Sequence, residues 1–542
     1  MSEAIEASGP PQEAPPAGPV MRFLSWAGDR LNPILVKETR QSLKSRQFTL
    51  WFVLLLLACW VATIGAIAII GPSIYYVSAG SLMLYVYYVI LALPLAVVVP
   101  FSAYRSLSSE HEENTRDLLE VSTLTPRQVI NGKLGSAGLQ VTIYLSALAP
   151  CIAFTYLLRG VNLATIALLL LYAVFAAMGM SMIGLMLAAV TRKKYSQVVM
   201  SVALAGILFG VFSGLLTAAA GVLALDPSEF RSEWFWWLHL GILSLYVTTF
   251  AVFYAATVSL TTFTSANRST PVRIALFAQQ TVFVAWVAGL LHSGMPGEGL
   301  FGSFAVAAVY WFLAGAIMTS EDPTLSHRVR RSLPQSWLGR AVGSWFSPGG
   351  GSGYVFATAN LLTLALLSIG YAIQQGGGGN PQIAKAVGLL TAYVVLYLGL
   401  GRFIILGLRR VTEVSSLGGF LLQVLCALAG SGLPFVVDTL SDRIRVADTA
   451  WINAMSPLWN TPRVLNAALS SDRELTLLFT VGALALAVAL INLALASHEA
   501  SQLRVSAPKR VREDDLDLNP PPEARPTNPW GDRPEPATDA MT

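Results

Sequence analysis

The chain has 542 residues, of which 54% are apolar and 12% charged, whereas an ordinary soluble domain carries about 25% charged residues. No water-soluble fold of this length could hide that much apolar surface, so a soluble enzyme or carrier is excluded and the solvent must be lipid. The net charge of +4 is small, its distribution matters more than its size, and no nucleic-acid partner is expected.

Residues 1–29 are rich in Pro, Ala and Glu and lack a basic start followed by an apolar core, so they read as a disordered tail rather than a secretory signal. Residues 30–47 are patterned. Asn32 suits an N-cap and Pro33 the first helical position. Leu35, Val36, Thr39 and Leu43 share one face, with Lys37, Arg40, Gln41 and Lys44 elsewhere. An amphipathic helix on the inner membrane surface is expected here, carrying Glu38 as well. The same pattern also suits a basic flank that only holds the first span in place.

A membrane-crossing helix needs about 20 mainly apolar residues. Twelve segments qualify, so the expected fold is all-α and polytopic. A first six-span domain over residues 48–264 holds Phe48–Ile70, Leu82–Phe101, Ser136–Leu158, Leu163–Val190, Val198–Leu225 and Leu238–Phe263. A second six-span region over 265–497 holds Ile274–Leu291, Leu300–Met318, Tyr354–Ile373, Ala386–Leu406, Leu417–Val437 and Leu475–Ala496. With the N-terminus inside, 28 of the 35 Lys and Arg residues fall on the inner side, which favours both termini in the cytoplasm. The exception is the outer segment Asp438–Glu474, with Arg443, Arg445, Arg463 and Arg473. Its Trp451 and Trp459 suit a helix at headgroup level. The Pro-rich residues 498–542 read as a disordered cytoplasmic tail.

Between the second and third spans the chain breaks its apolar pattern. Glu110, Glu112 and Glu113 favour a helix start, and Leu118, Leu119 and Val121 supply an apolar edge. Thr125-Pro126-Arg127-Gln128 is a capping box with Pro at the first helical position. A short helix carrying Val129 and Ile130 on one side then leads through Gly132 and Lys133 into the third span. The expected product is a helical elbow with water-exposed apolar side chains, the plain alternative being an acidic, solvated loop.

Asn32-Pro33-Ile34-Leu35-Val36-Lys37-Glu38, together with Glu110, Glu112, Thr115, Asp117, Leu118, Leu119, Thr123, Leu124, Thr125, Pro126, Ile130, Gly132 and Lys133, resembles the permease subunit of ABC transporters of the type-2 exporter class. The likeness covers the first six spans and departs at Asn114, where the family has Gly, and at Arg116, where an apolar residue is usual. It implies a bacterial inner-membrane protein whose elbow, over residues 105–135, is a coupling helix seated on a separate ABC ATPase subunit. It implies ATP and Mg on that partner, none bound by this chain, and room for a second permease copy.

The sequence itself contains no Gly-x-x-x-x-Gly-Lys-Ser/Thr phosphate loop, no His-Glu-x-x-His and no Gly-x-Ser-x-Gly in a span. No catalytic or metal-ligating residue is therefore expected, and Cys59, Cys151 and Cys426 read as small core residues. His239 and His292 suit span ends. Gln279 and Gln280 suit a helix–helix hydrogen bond. The cores of the first nine spans carry no Asp, Glu, Lys or Arg, which argues against an ion-coupled carrier. An ATPase-independent carrier or lipid-handling protein stays as the alternative, ahead of an intramembrane enzyme. Residues 320–353, with Arg328, Arg330, Arg331, Arg340 and the run Pro348-Gly349-Gly350-Gly351-Ser352-Gly353, fit a degenerate second elbow or a linker between halves.

Overall fold

A computed structural model describes residues 32–71, 79–112, 124–158, 160–191, 194–263, 266–294, 297–321, 345–374, 381–444 and 453–502, with 510 and 513. Its elements are helical, and no strand occurs among the described residues. Among the described residues twelve helices are long and apolar enough to cross a membrane, and each overlaps one of the twelve expected segments. The chain is an all-α, polytopic membrane protein.

The first helix, α1 (Pro33–Leu43), starts where the sequence puts it: Asn32 Oδ1 accepts from the Ile34 amide at 3.0 Å. The chain breaks at Lys44 and Ser45. Ser45 Oγ then accepts from the Phe48 amide at 3.1 Å and opens α2 (Arg46–Ile70). The second span is composite, made of α3 (Gly80–Leu93), a π turn at Pro94–Val98 and α4 (Val99–Glu112). Pro94 has no amide hydrogen to give to the turn before it, which is where a helix most readily changes its hydrogen-bond pattern. Next comes α5 (Pro126–Leu157), whose 32 residues extend about 48 Å. That exceeds the roughly 30 Å of a bilayer's apolar core, so part of α5 projects beyond it.

The first unit, residues 1–296, continues with α6 (Leu163–Val190), α7 (Lys194–Leu223), α8 (Glu233–Thr261) and α9 (Ser269–His292). One core cluster joins Tyr87, Leu91 and Leu95 to Tyr144, Ala173, Ala177 and Ala219. Another joins Ala103 and Leu107 to Ile130, Leu185 and Leu204. Small residues permit the close helix approach: a Cβ on Gly184 would lie 3.0 Å from the Pro100 carbonyl oxygen. The seventh span groups with this unit rather than with the later spans, which moves the division from the expected 264/265 to 296/297. The cause is its packing on α8. Gln279 Nε2 donates to Thr249 Oγ1 at 2.8 Å, the helix–helix bond expected of it, and Trp286 Nε1 donates to Ser244 Oγ at 2.7 Å.

The second unit, residues 297–542, contains α10 (Gly297–Thr319), α11 (Gly350–Gln374), α12 (Pro381–Leu408), α13 (Ser416–Ile444), α14 (Pro457–Leu465) and α15 (Ser471–Gln502). Glycine again sets the spacing: Gly315 leaves 2.9 Å from its would-be Cβ to Ala357 Cβ. The short α14 is amphipathic, with Arg463 stacked 4.0 Å from the Trp459 ring centre; Trp451 lies outside the described residues. In both units large apolar side chains such as Trp60, Val202, Ile317 and Leu366 point outward, as a lipid-facing surface requires.

Candidate functional site

The two segments that carry the resemblance meet in space. Lys133, on the first third of α5, is wholly buried. Its Nζ donates to Glu38 Oε1 at 2.8 Å, Glu110 Oε1 at 2.9 Å, Ser106 Oγ at 3.0 Å and the Ser106 carbonyl oxygen at 3.1 Å. An ammonium group has three hydrogens, so these four acceptors saturate it. The glutamates are about nine-tenths buried as well. Charged groups removed from water need paired and hydrogen-bonded surroundings, and here three helices supply them: α1 gives Glu38, α4 gives Glu110 and Ser106, and α5 gives Lys133.

Local sequence explains why α1 can come so close. A Cβ on Gly132 would stand 2.6 Å from Ile34 Cγ2 and 2.9 Å from the Leu35 amide nitrogen. A Cβ on Gly135 would stand 2.9 Å from Leu35 Cδ1. Asn32 Nδ2 donates to the Gln128 carbonyl oxygen, and Ser42 Oγ lies 3.4 Å from Ser136 Oγ. The partners advance together along both chains, so α1 runs lengthwise along the foot of α5. The capping box at Thr125 forms as expected: Gln128 N donates to Thr125 Oγ1 at 3.3 Å, and Thr125 N donates to Gln128 Oε1 at 2.8 Å. Two further ties hold the junction to the bundle, Tyr254 Oη to Asn131 Oδ1 at 2.9 Å and Tyr104 Oη to the Gln197 carbonyl oxygen at 2.9 Å.

The expected site residues therefore divide. Asn32, Thr125 and Pro126 sit at or near the surface, and Lys37 is exposed. Glu38, Glu110, Gly132 and Lys133 form the interior of the junction. Ile130 corrects an expectation: it does not project into water but is fully buried against the cluster of Ala103 and Leu107. Ile130 shares the inward face of α5 with the buried Lys133 and Ala137, three and seven residues on. Glu112 ends α4, with its side chain outside the described residues, where Thr115, Asp117, Leu118 and Leu119 also lie.

The sequence reading did not single out a second charged node. Arg402 of α12, 1% exposed, donates from Nη1 to Asn492 Oδ1 at 3.0 Å and from Nη2 to Glu499 Oε1 at 2.7 Å. Glu499 Oε2 also accepts from the Gly351 amide at 3.2 Å, at the first turn of α11, where a carboxylate complements the helix dipole. Glu321 Oε2 does the same for Gly349 at 2.9 Å. The glycine run before the ninth span is thus a packed helix start. Its signal was present in the sequence as one Arg inside an apolar run and one Glu near the end of the last span.

His239 is bonded within the bundle, 2.7 Å from both Tyr172 Oη and the Phe235 carbonyl oxygen. Among the described residues no group of His, Cys, Asp and Glu is placed to hold a metal ion. The junction around Lys133 joins α1, α4 and α5 through buried charge. No protein-family model, curated protein or solved structure matches this chain.

Proposed function

We propose that the chain is the membrane-spanning permease subunit of an ATP-driven exporter of the ABC type-2 class, set in a bacterial cytoplasmic membrane with both termini inside. A separate ATPase docks on the elbow around residues 105–135, and its closure on ATP moves the spans. One observation carries the reading: two motifs far apart in sequence, 32–38 and 110–133, share the buried Lys133 node. A displacement applied at the elbow reaches α1, α4 and α5 at once.

The deciding experiment is co-purification with a co-expressed ATPase subunit. Leu118→Asp with Leu119→Asp removes the expected apolar anchors, each commonly worth more than about 1–2 kcal/mol at an interface. Loss of the ATPase with normal membrane insertion supports the reading; unchanged stoichiometry overturns it. The orientation has its own test. Cysteines introduced at Ser8 and Ser506 should resist labelling from outside intact cells, and labelling of either refutes it.

The Arg402–Glu499 pair favours the second reading, an ATPase-independent carrier, because ionisable groups within spans often mark transport pathways. Transport by the purified chain alone in vesicles, without ATP, would select it.

A further inference from the structure

The face of α1 turned away from α5 carries exposed side chains, Pro33, Lys37, Arg40, Gln41 and Lys44. Lys37, Arg40 and Lys44 follow one another at spacings of three and four, which places them on one stripe. All three are exposed. With Pro33, Val36 and Gln41 they form one open outer surface of the helix. No described carboxylate pairs with any of these cations. The inward face holds Ile34, Leu35, Glu38 and Ser42, all engaged with α5, so a single 11-residue helix carries the node on one side and free positive charge on the other.

Position identifies the partner. Phe48 begins the apolar part of the first span. Lys44 and Arg40 precede it by only four and eight residues in sequence, across the break at Lys44 and Ser45. The headgroup layer is about 5–8 Å thick, and the Debye length at physiological salt is about 8 Å. The cations thus lie close in sequence to the point where the chain enters the apolar core. Pro33 and Val36 place apolar surface beside the charge, which suits a phosphate carried on acyl chains better than a free ion.

We propose that this stripe binds the phosphates of anionic phospholipid in the leaflet where α2 begins, and so presses α1 against α5 and secures the Lys133 node. The inference concerns lipid alone and does not rest on the ATPase reading.

The test uses the purified full chain and compares wild type with Lys37→Gln/Arg40→Gln/Lys44→Gln, and with Arg40→Gln alone. Phosphatidylglycerol and phosphatidylcholine retention are read by mass spectrometry, and hydrogen exchange of α1 is followed in phosphatidylcholine bilayers with and without phosphatidylglycerol. Each cation is expected to contribute about fivefold in affinity, and the three together on the order of 100-fold. Wild-type α1 should gain protection with phosphatidylglycerol and the triple variant should not, while phosphatidylcholine retention stays equal. The substituted side chains are exposed, so melting temperatures without anionic lipid should match. If the triple variant melts early, the single variant decides by its fivefold loss. Equal phosphatidylglycerol retention by all three proteins overturns the proposal. Displacement of the lipid by inorganic phosphate at equal concentration would mark a free-anion site and also overturn it. So would a triple variant that keeps its lipid but sheds a co-expressed ATPase, since the stripe would then be a protein contact.

Discussion

Lys133 and Glu38 are 95 residues apart in sequence and 2.8 Å apart in space. That contact ties the segment before the first span to the foot of the third, and Glu110 brings in the end of the second. None of the three helices can shift alone without breaking a buried ion pair of Lys133.

Lys133→Met should be costly, because it strands two mostly buried carboxylates. Breaking a buried pair from one side costs about 3–5 kcal/mol. Glu38→Gln leaves the Glu110 pair intact and should cost less, about 1.5–3 kcal/mol. Thermal unfolding in detergent checks the order. If both variants melt together, the node is not the keystone of the junction.

Gly132→Ala should push α1 off α5. The added methyl meets Ile34 Cγ2 at 2.6 Å and backbone at 2.9 Å, and such overpacking costs about 1–3 kcal/mol. Cysteines placed at Ser42 and Ser136, whose hydroxyls are 3.4 Å apart, should form a disulfide readily in the parent and poorly with Gly132→Ala. Equal yields would mean that the helices separate freely.

Thr125→Ala should lose the reciprocal cap of α5, costing about 1 kcal/mol. The expected signature is local: faster amide exchange at Gln128 and Val129, with little change beyond Lys133. A change spread through the whole span would point to global loosening instead.

Arg402→Met should destabilise the second unit more than Glu499→Gln does. The guanidinium is buried with two Asn492 acceptors, whereas the Glu499 side chain is 28% exposed and can recover water. The arginine variant should cost about 3 kcal/mol, read as lowered resistance to proteolysis in residues 297–502. Equal effects would refute the ranking.

The spans were legible in the sequence because apolar length is a direct requirement of the bilayer. Thr125 was legible because a capping box is local. The burial of Ile130 is not legible, for the opposite reason. Which way a side chain points on α5 depends on α4, and nothing in the neighbouring residues states where α4 lies. The Gly349–Gly353 run was ambiguous in the same way. Glycine permits either slack or close approach, and only the carboxylates of Glu321 and Glu499 at the helix start decide for close approach. The pairing of Arg402 with Glu499 spans 97 residues: the sequence shows each charge in or near a span, but not that the two meet.

The π turn at Pro94–Val98 gives the second span an extra tooth in its gearing. A π turn holds one residue more than the α-helix it interrupts, and one residue is about 100° of rotation. Tyr87, bonded to Thr63 at 2.7 Å on one side of the turn, and Glu110, bonded to Lys133 on the other, are therefore in phase only because that residue is present. Deleting a single position between 94 and 98 would leave composition, length and hydropathy nearly unchanged, yet would swing Glu110 about a quarter turn from its lysine. The span's sequence is a setting of angle as much as a supply of apolar surface.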